Sequence, residues 1–182
     1  MSDFFDVFDP DPRVMTHPAA IDTELLMRDC DLLRAKRGGP GGQRRNKVET
    51  HVELLHRPTG LRAGSGERRS PADNQRAAMR RLRTVLAIEH RVEVDLREAP
   101  SLLWKGRTRK DRTLAINPGH ADYPALLAEA LDVIHACGYD LRRAAVLQGV
   151  SRTQLVKLIR HSPAALGRLN QERQQRGRPA VR

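Results

Sequence analysis

The stretch VETHVELLHRPTGLRAGSGERRSPADNQRAAMRRLRTVLAIEH, residues 48–90, carries most of the fold. Val48, Thr50, Val52 and Leu54 alternate with Glu49, His51 and Glu53, the two-residue period of a half-buried strand over Val48 to His56. Pro58-Thr59-Gly60 is a turn signal, and Leu61 to Gly66 returns as the next strand of a hairpin. Ser70-Pro71-Ala72-Asp73 then opens a helix: Ser70 can cap free amides, Pro71 suits the first helical position, and Asp73 sits three after the cap. The helix is expected to run to about His90, burying Ala78, Leu82, Val85, Leu86 and Ile88, with Arg76, Arg80 and Arg83 on the wetter side.

Working outward, Ile21 to Asp29 reads as a short helix and Cys30 to Lys36 as a strand. Downstream, Val92, Val94 and Leu96 alternate and predict a further strand. A β-β-β-α-β order gives the α+β class: a small mixed sheet packed by one long helix. Upstream, Asp3, Asp6, Asp9 and Asp11 among Phe4, Phe5 and Phe8 suggest a flexible acidic arm over residues 1–20. The α+β domain would then cover 21–100.

Residues 101–120 read as a basic linker, with Lys105, Arg107, Arg109, Lys110 and Arg112 flanking Asp111. These cations suit RNA contact, although charged stretches are more often solvated loops. The rest, 121–182, reads as all helical: Tyr123 to Cys137, Leu141 to Gln148, Ser151 to Arg160 and Pro163 to Gln175. Within it, Ala145-x-x-x-Gly149-Val150-Ser151-x-x-x-Leu155-x-x-Leu158 resembles a helix-turn-helix unit, over 140–161. A small Ala145 allows close approach, Gly149 makes the turn and Ser151 caps the second helix. Arg152 and Lys157 would face outward, chemically fit for nucleic acid. An ordinary helical hairpin with the same caps is an equally weighted reading. Arg173 to Arg182 is polar and basic and is expected to be a disordered tail.

The formal net charge of +11 points to a polyanion partner. With one Trp, two Tyr and three Phe, base reading on an aromatic sheet is not expected, and backbone contact by Arg and Lys is the better mode. No apolar run is long enough to span a membrane, and no secretory signal is visible. Cys30 and Cys137 read as free thiols of a cytoplasmic protein. His51 and His56, five apart on one strand, would face opposite sides, so neither a metal site nor another cofactor is expected.

The densest chemical signal is Arg37-Gly38-Gly39-Pro40-Gly41-Gly42-Gln43-Arg44-Arg45-Asn46-Lys47. Glycines at this density free the backbone and let a substrate approach it closely. A Walker loop would need Gly-Lys-Ser or Gly-Lys-Thr, which is absent. A dinucleotide loop would need glycine at position 44, where Arg44 stands. A plain linker would not set Gln43 and a run of polar and basic residues directly before a strand.

The loop resembles the peptide-release domain of class I peptide chain release factors and their ribosome-rescue relatives. The likeness covers roughly residues 28–98. It rests on Gly39-x-Gly41-Gly42-Gln43-x-x-Asn46-Lys47, followed in order by the Pro58-Thr59-Gly60 turn, Arg68, Ser70, Asn74, Ala78 and Met79. Arg45 and Lys36 depart from the usual residues at their positions.

The resemblance implies ribosome-dependent hydrolysis of the peptidyl-tRNA ester. Gly41, Gly42 and Gln43 would be catalytic, and Arg37, Arg44, Arg45 and Lys47 would meet phosphates. The implied partners are large-subunit rRNA, peptidyl-tRNA and a glutamine methyltransferase acting on Gln43, with the chain itself a monomer. Only a few tens of residues precede the loop, so codon-independent rescue is expected rather than stop-codon reading. The alternative is a nucleic-acid-binding regulator that uses the helix-turn-helix-like unit and has no hydrolase activity.

Overall fold

The computed structural model describes residues 16–35 and 50–181. The expected acidic arm therefore lies, for residues 1–15, outside the described residues. After a single 3-10 turn at Pro18–Ala20 come α1 (Thr23–Arg28), β1 (Cys30–Ala35), β2 (His51–His56), β3 (Arg62–Ser65) and α2 (Pro71–Glu89). Five helices follow: α3 (Leu102–Arg107), α4 (Tyr123–Ala136), α5 (Leu141–Leu147), α6 (Arg152–Arg160) and α7 (Pro163–Gln175). The class is α+β, with a three-stranded sheet in the order β1-β2-β3. Both pairings are antiparallel, so the sheet is not mixed.

The central strand β2 buries Val52, Leu54 and His56 and turns the residues between them outward. Leu54 lies opposite Leu32 of β1 and Ala63 of β3. Helix α2 lies against β2 and β3 and also packs on α4, the 3-10 turn and α7. Its first turn is closed by Ser70 Oγ, which accepts from the Asp73 amide at 3.4 Å, and Pro71 stands at the start. Ala78, Leu82, Leu86 and Ile88 are buried as the periodicity predicts, while Val85 is half-buried. Arg83 departs from the wetter face. It is half-buried, donating from Nε to Ala19 O at 3.0 Å and from Nη1 to Ala121 O at 3.2 Å. A guanidinium can bridge two carbonyls that would otherwise lack donors, and this use is invisible to helical periodicity.

The expected fourth strand at Val92 to Leu96 does not form; the chain there takes no regular structure and then turns. Asp132 of α4 takes the place of a neighbouring strand. Its carboxylate accepts from the Val92 amide, and Arg91 pairs with it at 2.8 Å. Val94 and Leu96 still pack on the core. His17 completes this joint, with Nε2 3.2 Å from His90 O and its imidazole held down to about 4 chiefly by burial. The ring is thus neutral at neutral pH, which suits its burial beside Arg91.

Residues 101–120 are also more ordered than a linker. Ser101 caps α3 and donates to Glu129 of α4 at 2.6 Å. Trp104 is fully buried, and its indole donates to Gln148 O at 2.9 Å. The tail likewise folds back instead of hanging free. Arg173 donates to Tyr139 O at 2.6 Å and to Pro179 O at 3.0 Å, and Asn170 and Val181 exchange hydrogen bonds. Val181 is buried, so a hydrophobic anchor near the end outweighs the polar composition.

Gln148 is the one poor fit among the described residues: its side-chain amide is buried and neither polar atom has a hydrogen-bond partner. An unpaired buried amide costs about 1–3 kcal/mol. Gln148→Met keeps the volume and removes the unpaired atoms. It is expected to stabilise the protein by about 1–2 kcal/mol, read as a higher urea midpoint; an unchanged or lower midpoint would show that the amide is satisfied.

Candidate nucleic-acid interface

The described part of β1 ends at Ala35, and the described chain resumes at Thr50, directly before β2. Ala35 pairs with His51 and Arg34 with Val52, so the two ends are neighbours on adjacent strands. Between them, Arg37, Gly41, Gly42, Gln43, Arg44, Arg45 and Lys47 lie outside the described residues. What the structure defines is the frame on which this segment is mounted.

Asn74 is the main fastening of that frame. It is fully buried in the first turns of α2. Its Nδ2 donates to Thr50 O at 2.6 Å and to Arg68 O at 2.9 Å. Its Oδ1 accepts from the Arg68 amide at 2.9 Å and from Ser65 Oγ at 3.3 Å. One amide side chain thus joins the segment before β2, the end of β3 and the loop over residues 66–70 (the 68 loop) to the helix. Asn suits this position because it carries two donors and an acceptor in one plane.

Glycine supplies the second fastening. A Cβ on Gly66 would lie 2.8 Å from His51 Nδ1, and one on Gly64 would lie 3.1 Å from His51 Nε2. The third strand therefore leaves the space in which the His51 ring sits. Glu67 accepts from Ser65 Oγ and pairs with Arg81 at 2.9 Å, and these contacts, the hydroxyl first, hold its carboxyl down to about 2.

A second group of expected contact residues gathers around α3 and the α5–α6 turn. Lys105, Arg109 and Lys110 are exposed. Arg107 is not free: its Nε donates to Asp122 at 3.1 Å and its Nη2 pairs with the same carboxylate. The segment 108–114 closes on itself through the Thr108–Leu114 bridge and a bond from the Arg109 amide to Thr113 O at 2.9 Å. Arg112, at a φ of 63°, donates from Nε to Gly149 O at 3.3 Å. With Trp104 of α3 on Gln148 O, this makes two ties to the α5–α6 turn, one from α3 and one from the hairpin over 108–114.

In that turn Gly149 has a φ of 65°, which favours glycine, and Ser151 Oγ accepts from the Gln154 amide at 3.2 Å. Leu155, Leu158 and Ile159 are buried, and Arg152 and Lys157 are exposed. The structure thus connects two groups of cations, hairpin and α6, that are far apart in sequence. Arg112 and Trp104 make the connection, and no local pattern marks them for it.

Among the described residues no group of three or more His, Cys, Asp or Glu could hold a metal ion. None of their helices is long and apolar enough to cross a membrane.

The RF-1 domain model matches residues 19–118, more than half of the chain. The chain belongs to the RF-1 domain family. It is similar to peptide chain release factor 1 of Chlorobaculum tepidum, 35% identical over 106 residues, which cover 55% of this chain and 29% of that protein. A chloroplastic peptide chain release factor of Arabidopsis thaliana is 39% identical over 69 residues, covering 38% and 15%. Mitochondrial peptide chain release factor 1 of Homo sapiens is 38% identical over 90 residues, covering 48% and 20%. The likeness thus spans less than a third of the length of these relatives. The RF-1 match contains the fastening at Asn74 and ends beside the hairpin. Helices α4 to α7 lie beyond it.

Asn74→Ala leaves Thr50 O, Arg68 O and the Arg68 amide without their partner. The expected cost is about 2–4 kcal/mol, read as a lower urea midpoint. The Arg68 amide should also lose hydrogen-exchange protection. A stability within about 0.5 kcal/mol of wild type, the scale of an ordinary surface substitution, would mean that the frame does not depend on this side chain.

Proposed function

We propose that this protein hydrolyses the ester of peptidyl-tRNA on the ribosome, without reading a codon. The observation that carries the reading is Gly39-Pro40-Gly41-Gly42-Gln43 lying inside the RF-1 match, between two strands whose ends are paired. In this proposal the 21–100 part is the hydrolase, 101–120 and the helices of 121–182 recognise the stalled particle, and residues 1–20 form an arm.

The chemistry asks for a donor aimed at charge that develops in the transition state. The Gln43 backbone amide would donate to the tetrahedral oxyanion or to the leaving 3′-oxygen. A backbone donor held by its loop needs little reorganisation at the moment of reaction. Gly41 and Gly42 would give the backbone the conformation that aims this amide. The Gln43 side chain would admit and orient water and keep larger nucleophiles out. No general base is assigned to this chain; the substrate ribose and rRNA would handle the proton. A methyl group placed on Gln43 by a glutamine methyltransferase would act on this side chain.

Arg37, Arg44, Arg45 and Lys47 would neutralise rRNA and tRNA phosphates. Lys105, Arg109, Lys110, Arg152 and Lys157 form the second contact group. The sequence places Arg107 among them, but its pairing with Asp122 suits a positioning role for α3 better. We further propose that the protein works as a monomer in the cytoplasm.

The test is release of labelled peptide from stalled ribosomal complexes. Wild type should release peptide. Gly42→Ala, which would misaim the Gln43 amide, should release it about 10²–10³-fold more slowly, the scale for losing one oxyanion donor; Gln43→Ala keeps that amide, removes the side chain that would orient water, and should also release it more slowly. Release by the variants at the wild-type rate, or none by wild type, would sink the proposal. Sequence-specific duplex DNA binding in place of release would favour a regulator built on α5 and α6.

A further inference from the structure

An open groove of about 900 Å³ runs along α2. One wall is α2 with β3 and the 68 loop. The other is formed by residues 118–121, Pro124 of α4, and Ser162 and Ala164 at the start of α7. The second wall lies mostly outside the RF-1 match, so the groove exists because the C-terminal helices pack back on the domain.

Its lining is chemically one-sided. Arg62, Arg68, Arg76, Arg80, Arg81 and Arg83 line it, and among the described residues Glu67 is its sole carboxylate and no lysine joins them. Arg76, Arg80 and Arg83 follow the i, i+4, i+7 spacing that puts them on one face of α2. They form a ladder rising about 1.5 Å per residue along the groove. Arg83 is held by its two carbonyls. Arg62, Arg76 and Arg81 pair with Glu53, Asp73 and Glu67 at the solvent-facing surface. Solvated pairs of this kind contribute little to stability and can give way to another anion. The side chains of Arg68 and Arg80 have no ion-pair partner among the described residues. Between the cations the walls are apolar, with Ala77, Val85, Ile88, Pro124 and Ala164.

We propose that this groove holds a single strand of RNA, its backbone on the arginine ladder and its bases towards the apolar wall. The inference rests on the proposed function for the source of the strand, which would be ribosomal or transfer RNA. Three features select this occupant. A guanidinium fork matches phosphate in two-point contact, and the ladder is built of guanidinium groups alone. The cations repeat along the groove, as phosphates repeat along a strand. The groove is concave and lined on both sides, so it admits a strand more readily than a stiff duplex, and a positively charged groove that tracks the backbone is a common element of single-strand binding.

The experiment measures affinity for a short, mixed-sequence, fluorescently labelled RNA by anisotropy over a range of salt concentrations. Arg76→Gln/Arg80→Gln should weaken binding about 10-fold or more at low salt. Its log–log salt slope should be shallower by about 1.4, at about 0.7 for each phosphate no longer neutralised. Thr84→Glu places a carboxylate on the same wall without removing an arginine and should weaken binding in the same direction. It stands in if the double variant fails to fold by circular dichroism. Arg28→Gln/Arg97→Gln removes equal charge elsewhere and should change affinity less than twofold. Gln43→Ala should keep RNA affinity while losing peptide release, so failure of the groove and failure of the hydrolase reading are separable.

The proposal is overturned if the groove variants bind RNA within twofold of wild type, or if the control pair weakens binding as much as they do. It is also overturned if poly-glutamate of matched charge displaces RNA from wild type equally well, which would make the groove a seat for an acidic peptide.

Discussion

Thr50 O sits 2.6 Å from Asn74 Nδ2, and much of the domain turns on that contact. A helix laid across a sheet can slide or rotate while keeping most of its apolar contacts, since burial is non-directional. A buried amide with four hydrogen bonds does not permit this. Asn74 holds the segment before β2, the end of β3 and the 68 loop to one turn of α2, the turn already closed by Ser70. Apolar packing of Leu54, Leu82 and Leu86 supplies the cohesion; Asn74 supplies the register. The strand ends on either side of the glycine-rich segment, at Ala35 and His51, are paired with each other in this frame.

The same division of labour runs through the cations. A net charge of +11 suggests a surface given over to polyanions. Yet Arg83, Arg91, Arg107 and Arg173 are largely structural, each joining elements distant in sequence through carbonyls or a carboxylate. Burial lowers Arg83, Arg91 and Arg173 from their ordinary range, and the carbonyl and carboxylate partners are what make such burial tolerable. Of the arginines left on the surface, Arg57, Arg62, Arg76 and Arg81 are paired with carboxylates, whereas Arg68 and Arg80 have no ion-pair partner among the described residues. Composition alone cannot divide the two uses, because the division is made by long-range contacts.

That limit explains what is legible in the residues and what is not. Period-two alternation marks β2, and caps mark the start of α2 and of α6, because each signal is complete within a few residues. Val92, Val94 and Leu96 carry the same alternation as β2, but a strand also needs a neighbour, and Asp132 from α4 occupies that place. The tail reads as disordered since polar residues dominate it, while its order comes from Val181 and from Arg173 reaching Tyr139 O. The Gly41-Gly42-Gln43 motif is complete within three residues, and those residues lie outside the described ones. The ties of Arg112 and Trp104 to the α5–α6 turn are not legible, since each joins residues more than thirty-five positions apart.

Helix α2 links the two halves. On one side it packs on β2 and β3, and on others it packs on α4 and α7. Arg83 and the Arg91–Asp132 pair pin it to Ala121 and to α4, and His17 closes the same joint from the chain's start. Apolar contact alone would leave such a joint free to slip; charged side chains bonded to carbonyls and carboxylates in a partly dry setting give it a preferred geometry. The distance and angle between the strand ends that bear the glycine-rich segment and the exposed faces of α3 and α6 are therefore set by one nineteen-residue helix. A ribosomal target presents its surfaces at fixed separations. On the proposed function, α2 acts as the ruler that lets contacts by the C-terminal helices determine where the Gln43 amide arrives.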